Sequence, residues 1–239
     1  MKTPIHLLTA LLMTGALALT SCDNKPAESA ETSTQPAAAT DNASGDMAGM
    51  DHSTMNHGET SGGPMMMAMN NMMQQMHATK PKGNTDHDFA HMMMDHHRGA
   101  VEMAAVELRD GKDAMLRQMA EKISADQKKE IQELEQIATR LDDAPTNYQP
   151  TNPSDPFQRK MTASMDGMMK NMPQESGNVD QDFAAMMIPH HQSAIDMAQA
   201  ELDHGRDTRL KEMAQQMINA QQQEIKQLQD WLTQHGAGK

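Results

Sequence analysis

Two histidine pairs, each preceded by a methionine pair, carry the chemistry this chain can do. His96-His97 follow Met92-Met93, and His190-His191 follow Met186-Met187. Residues three and four apart lie on one face of a helix, so each sulfur stacks one turn from an imidazole. Thioether and imidazole together form a soft donor set, and copper is the first ion they fit. Adjacent residues point about 100° apart, so one histidine of each pair is expected inward and the other toward solvent. Met103 and Met119, with Met197 and Met213, form a second pattern. Met103 lies about 10 Å along the axis from His96, too far to share an ion. Packing explains these four methionines as well as ligation does. A third group occupies a stretch of low complexity: Met47, Met50, His52, Met55 and His57. In a flexible chain, thioethers at this spacing can wrap one Cu(I), and they favour it over Zn(II).

The elements that position these residues come as a repeat. Asp86 to Leu134 aligns with Asp180 to Leu228 without gaps, with about 22 of 49 positions identical. Each copy reads as a helical hairpin. Phe89, Met92, Met93, His96, Ala100, Met103 and Glu107 share one face. Gly111 and Gly205 end the first helix of each hairpin, and Asp113 and Asp207 cap the second. If the chain reverses at Gly111, His96 levels with Asp126 and Gln127, Met92 with Glu130, and Met103 with Met119. Glu130 and Glu224 fall on the inner face, where they can orient a histidine or make an ordinary ion pair. His87, His91, His204 and His235 have no counterpart in the other copy and are expected at the surface. A methionine stripe precedes each hairpin: Met65, Met69, Met72, Met73 and Met76, then Met161, Met165, Met168, Met169 and Met172.

These signals divide the chain into a signal peptide (1–21), a disordered tether carrying the Met/His stretch (22–63), a first repeat half (64–141), a Pro-rich crossover (142–156) and a second half (157–239). The expected fold is all-α: a four-helix bundle built from two hairpins, with short Met-rich helices packed against it. Composition agrees. There are 28 Met against 3 Phe, 1 Trp and 1 Tyr, so the core must be methionine and aliphatic. The net charge of -13 and the absence of a basic block exclude nucleic acid as a partner. Lys2 and the apolar run from Ile5 to Leu19 read as an export signal. Leu19-Thr20-Ser21-Cys22 resembles a lipoprotein box, which implies that Cys22 is lipidated and the protein is anchored to a membrane on the periplasmic side of a bacterial cell envelope. Cleavage after Ala18 is the rival reading, leaving a free thiol.

Phe183-x-x-Met186-Met187-Ile188-Pro189-His190-His191-Gln192-x-Ala194-Ile195-Asp196-Met197-Ala198 resembles the signature of the domain-of-unknown-function family numbered 305. The resemblance spans about residues 65–235 in two copies. It implies a ferritin-like fold and a relation to CopM-like periplasmic proteins that bind copper and support copper resistance. The first copy departs from the signature at Asp95, which replaces the proline, and at Arg98-Gly99, which replace Gln-Ser.

The resulting expectation is a non-enzymatic protein that buffers, sequesters or transfers Cu(I), with Ag(I) as a second soft ion and an envelope copper donor or acceptor as partner. A ferritin-like redox enzyme is the alternative. It needs several inward carboxylates and Glu-x-x-His motifs, and the chain offers only Glu107, Glu130, Glu201 and Glu224, with no Glu-x-x-His around either pair. A third reading is a helical interaction module without metal.

Overall fold

The structure is a computed structural model, and it describes residues 62–235. Cys22 and the stretch Met47, Met50, His52, Met55 and His57 lie outside them. Six helices follow in order: α1 Pro64–Ala78, α2 Thr85–Asp110, α3 Ala114–Arg140, α4 Pro156–Asn171, α5 Val179–His204 and α6 Thr208–His235. Among the described residues there is no strand, and no helix is long and apolar enough to cross a membrane. The chain is all-α.

α2 pairs with α3 and α5 with α6 as antiparallel hairpins, and α2 packs on α5. α1 covers α2, and α4 covers α5. α3 and α6 approach each other mainly through side chains. Arg209 reaches Glu133 (2.6 Å), and Lys122 reaches Glu224 (3.2 Å).

A pseudo-twofold axis relates the halves, and hydrogen bonds repeat across it at the sequence offset of the duplication. Asp86, at the start of α2, accepts from the backbone N–H groups of Arg206 and Asp207 at 2.6 Å each. Asp180, at the start of α5, accepts from Lys112 and Asp113 at 2.8 Å each. α2 and α5 are therefore antiparallel, each tied at its first turn to the other hairpin's bend. Asp113 and Asp207 cap α3 and α6 as the sequence predicts. Asp113 accepts from Met115 and Leu116, and Asp207 from Leu210.

The loops entering α2 and α5 also match. Gly83 (φ 88°) and Gly177 (φ 83°) turn the chain in the left-handed region that favours glycine. Asp88 takes the N–H groups of Lys82 and Gly83, and Asp182 takes those of Ser176 and Gly177.

Gly111 and Gly205 have a different reason to be glycine. Their φ values are -68° and -67°, open to any residue. A Cβ at either position would collide with the carboxyl of Glu107 or Glu201. The glycine leaves room for a buried acid.

The methionine stripes form the outer walls of the core. Met65, Met69, Met72 and Met76 of α1 are buried, as are Met161 and Met168 of α4, while Met169 is exposed. α1 lacks a side-chain cap of its own. Glu175, from the loop before α5, accepts from the N–H groups of Met65 (2.8 Å) and Met66 (3.2 Å) at its positive end.

Candidate metal centre

α2 and α5 are each covered on several sides, and their crossing brings the histidine pairs together. His96 lies against His190 with ring centroids 3.8 Å apart, and the Nε2 of His190 is 3.1 Å from the carbonyl oxygen of His96. His190 and His191 are 5.9 Å apart by centroid. All four histidines, His96, His97, His190 and His191, have 0% exposure. This corrects the expectation of one inward and one solvated member per pair. A helix with neighbours on two faces buries residues that point 100° apart.

His97 Nε2 lies 2.9 Å from Glu130 Oε2, and His191 Nε2 lies 3.1 Å from Glu224 Oε2. These contacts obey the same repeat offset. The distances suit an ion pair, but neither nitrogen has the alignment of a hydrogen bond. Glu130 meets His97 and not Met92, the residue placed level with it from the sequence. Side chains tilt toward the N-terminus of their helix. On antiparallel helices, Glu130 thus leans toward the hairpin bend and His97 away from it, and they meet between their main-chain levels.

Both ring nitrogens of His96 and the Nδ1 atoms of His97, His190 and His191 lack hydrogen-bond partners. Burial is the main influence lowering His96 and His190 well below the ordinary histidine range, and neighbouring imidazoles add to it. These two rings are neutral, with lone pairs free. Burial pushes Glu224 upward, but the His191 ring nitrogen 3.1 Å away and the ammonium of Lys122 outweigh it and leave the carboxyl below its usual value.

Met93, Met103, Met186, Met187 and Met197 are fully buried, and Met119 and Met213 nearly so. Met92 is partly buried against the core. A cavity of about 150 Å³ lies between α3 and α6, lined by Gln127, Glu130, Gln221, Glu224, Met213 and Met217 among others. Two of its lining residues, Glu130 and Glu224, are the carboxylates that meet His97 and His191.

The departures of the first copy also have a structural setting. Asp95 is buried, pairs with Arg98 and accepts from Thr79 Oγ1 at 2.7 Å. Gly99 makes room for Met72, where the second half has Ser193.

His87 overturns its sequence expectation. It is buried at 3% exposure, between Asp88 and Asp142. The missed signal was its spacing of four from His91. Among the described residues, His87, His91 and Asp142 are the one group of three His, Cys, Asp or Glu residues with ligand atoms within 4.8 Å of one another. The four central histidines and their glutamates form no such group, so nitrogen and oxygen alone do not close a site at the crossing.

The fold and this centre define a duplicated helical bundle with a buried histidine and methionine core. The chain belongs to the domain-of-unknown-function family DUF305, whose model matches residues 23–138 and 86–232. It is similar to solved structures of CopM, among them an Ag-bound and a Cu(I)-bound form. Each is 26% identical with a TM-score of 0.48; the former match covers 63% of this chain and 96% of that one, the latter 62% and 96%. A DUF305 fragment from Deinococcus radiodurans is 24% identical, with a TM-score of 0.47, over 65% of this chain and 99% of that one. No curated protein matches.

Proposed function

We propose that this is a copper-binding protein of the bacterial cell envelope that buffers, sequesters or hands on Cu(I), without catalysing a reaction. The observation that carries the proposal is the set of four fully buried imidazoles, most of whose ring nitrogens have no partner. Buried polar atoms without partners are uncommon and call for an explanation. A bound soft ion supplies one here, because Met92, Met93, Met186 and Met187 stand one turn from the histidines. The ligand set is His96, His97, His190 and His191 with those four sulfurs. Met103, Met119, Met197 and Met213 extend the sulfur lining toward the hairpin bends. Met47, Met50, His52, Met55 and His57 act as a capture stretch on the tether, and lipid on Cys22 holds the protein at the membrane. Thioether bonds to Cu(I) are soft and exchange readily, which suits transfer to or from a partner protein.

The carboxylates argue against the redox-enzyme alternative. Glu130 and Glu224 are engaged by His97 and His191, and Lys122 also holds Glu224. Glu107 and Glu201 sit at the hairpin bends, beside Gly111 and Gly205.

The test is an anaerobic titration of the whole chain with Cu(I) against a chromogenic chelator. Wild type is expected to hold several ions, and His96→Ala with His190→Ala to hold at least one fewer. Equal binding by the two proteins would remove the crossing from the site. Failure of wild type to compete at all would remove copper from the reading.

A further inference from the structure

The duplicated core has no use for His87, His91 and Asp142. The second half has Gln181, Ala185 and Gly236 at the corresponding positions. Yet the three converge at the entrance of α2. His87 and His91 lie one turn apart with ring centroids separated by 4.5 Å. Asp142, from the segment following α3, brings its Oδ1 within 3.3 Å of His87 Nε2.

His87 is held in a particular orientation. Its Nδ1 is 2.8 Å from Asp88 Oδ1. Asp88 is itself fixed, since it also accepts from the N–H groups of Lys82 and Gly83 and from the hydroxyl of Tyr148. A proton on Nδ1, donated to Asp88, leaves the lone pair of His87 on Nε2, facing Asp142. A carboxylate behind an imidazole is the arrangement that sets tautomer and direction in metal-binding histidines. Asp182, the counterpart of Asp88, has no histidine before it, so Asp88 has a use beyond closing the loop.

We propose that His87, His91 and Asp142 form a second metal site, for a borderline divalent transition ion with Cu(II) foremost, separate in position and chemistry from the histidine–methionine core. Two nitrogens and a carboxylate oxygen, without sulfur, suit such ions, and Cu(II) binds nitrogen and oxygen ligands most strongly among the first-row divalent ions. Ligand atoms about 2.0–2.2 Å from one ion lie at most about 4 Å apart, so the present cluster must contract by about 1 Å or less. Lys82 now pairs with Asp142 at 2.7 Å, with both side chains about half exposed. A pair so placed is weak and can be displaced by an entering dication.

The experiment is titration of the metal-free full chain with Cu(II), read by electron paramagnetic resonance and chelator competition. His91→Ala and Asp142→Asn are compared with wild type. Ala185 stands at the His91 position in the second half, and Asp142 is exposed, so both variants keep the fold; circular dichroism checks this. In wild type, one Cu(II) is expected to show coupling to two imidazole nitrogens. His91→Ala should lose one of those couplings and weaken that ion at least about tenfold, and Asp142→Asn should weaken it in the same direction. His96→Ala should leave it in place. The proposal is overturned if both variants bind Cu(II) as wild type does, or if His96→Ala removes the signal. Neither result alters the outcome of the Cu(I) titration, so the two sites stand or fall separately.

Discussion

Glu107 and Glu201 are carboxyl groups placed where water does not reach. Burial is the main cause that raises Glu107 to about 8, and the charge of Asp180 and a hydrogen bond to it come next. Glu201 is raised to about 9, by burial first and then by Asp86 in the same two ways. Each is protonated at neutral pH and can donate to its neighbouring aspartate. The consequence for stability has a definite sign. A group with a raised folded pKa contributes stability that is fully present below its unfolded value and is lost as pH rises through the folded one. The unfolding temperature is therefore expected to fall between about pH 4.5 and pH 9, and Glu107→Gln with Glu201→Gln should flatten that fall. Thermal unfolding at a series of pH values decides it; an equally steep fall in the double variant would contradict the assignment. At the crossing, the unpartnered imidazoles predict a strong response to soft ions. Ag(I) in excess should raise the unfolding temperature, since a ligand at 100 times its Kd stabilises by about 2.7 kcal/mol. Calorimetry on wild type and on His96→Ala with His190→Ala should show much of that gain disappearing.

Among the elements, the loops entering α2 and α5 are the most exacting. Gly83 has a positive φ, and a Cβ there would also press on Thr146 and the carbonyl of Tyr148. Gly177 has the same φ in open space. Gly177→Ala should cost about 1 kcal/mol from backbone conformation alone, and Gly83→Ala more. Chemical denaturation gives both values, and equal costs would mean that the crossover segment yields freely. The helices themselves were legible in the sequence. Methionine and alanine at three- and four-residue steps, Asp113 and Asp207 as caps, and the uninterrupted repeat all act locally, and local pattern survives translation into structure. Contacts brought from a distance were not legible. Glu175 caps a helix that begins 111 positions before it in the chain. Gly111 ends α2 as its sequence position predicts, but the reason it must be glycine, the space taken by the Glu107 carboxyl, was not legible. His87 looked superficial because its partner Asp142 arrives from beyond α3. The histidine pairs were recognisable as a centre, but their depth depended on α2 and α5 being the two inner helices.

For the whole molecule, the two halves are held by reciprocal ties. Asp180→Ala would leave the N–H groups of Lys112 and Asp113 without their acceptor, and Asp86→Ala would do the same to Arg206 and Asp207. Each substitution should cost about 1–3 kcal/mol. Because each tie joins opposite halves, unfolding should remain a single transition in both variants when followed by circular dichroism and by the fluorescence of Trp231. Separate transitions would show that the halves fold alone.

The pseudo-twofold arrangement has a consequence for how such a molecule can change. An isologous dimer of identical chains meets every substitution twice, once on each side of its axis. Joining the copies in one chain lifts that constraint. Asp95 can face the position of Pro189, Gly99 that of Ser193, and Lys122 that of Gln216. His87 and His91 can be added to one side alone, while the shared centre at His96 and His190 is kept by both.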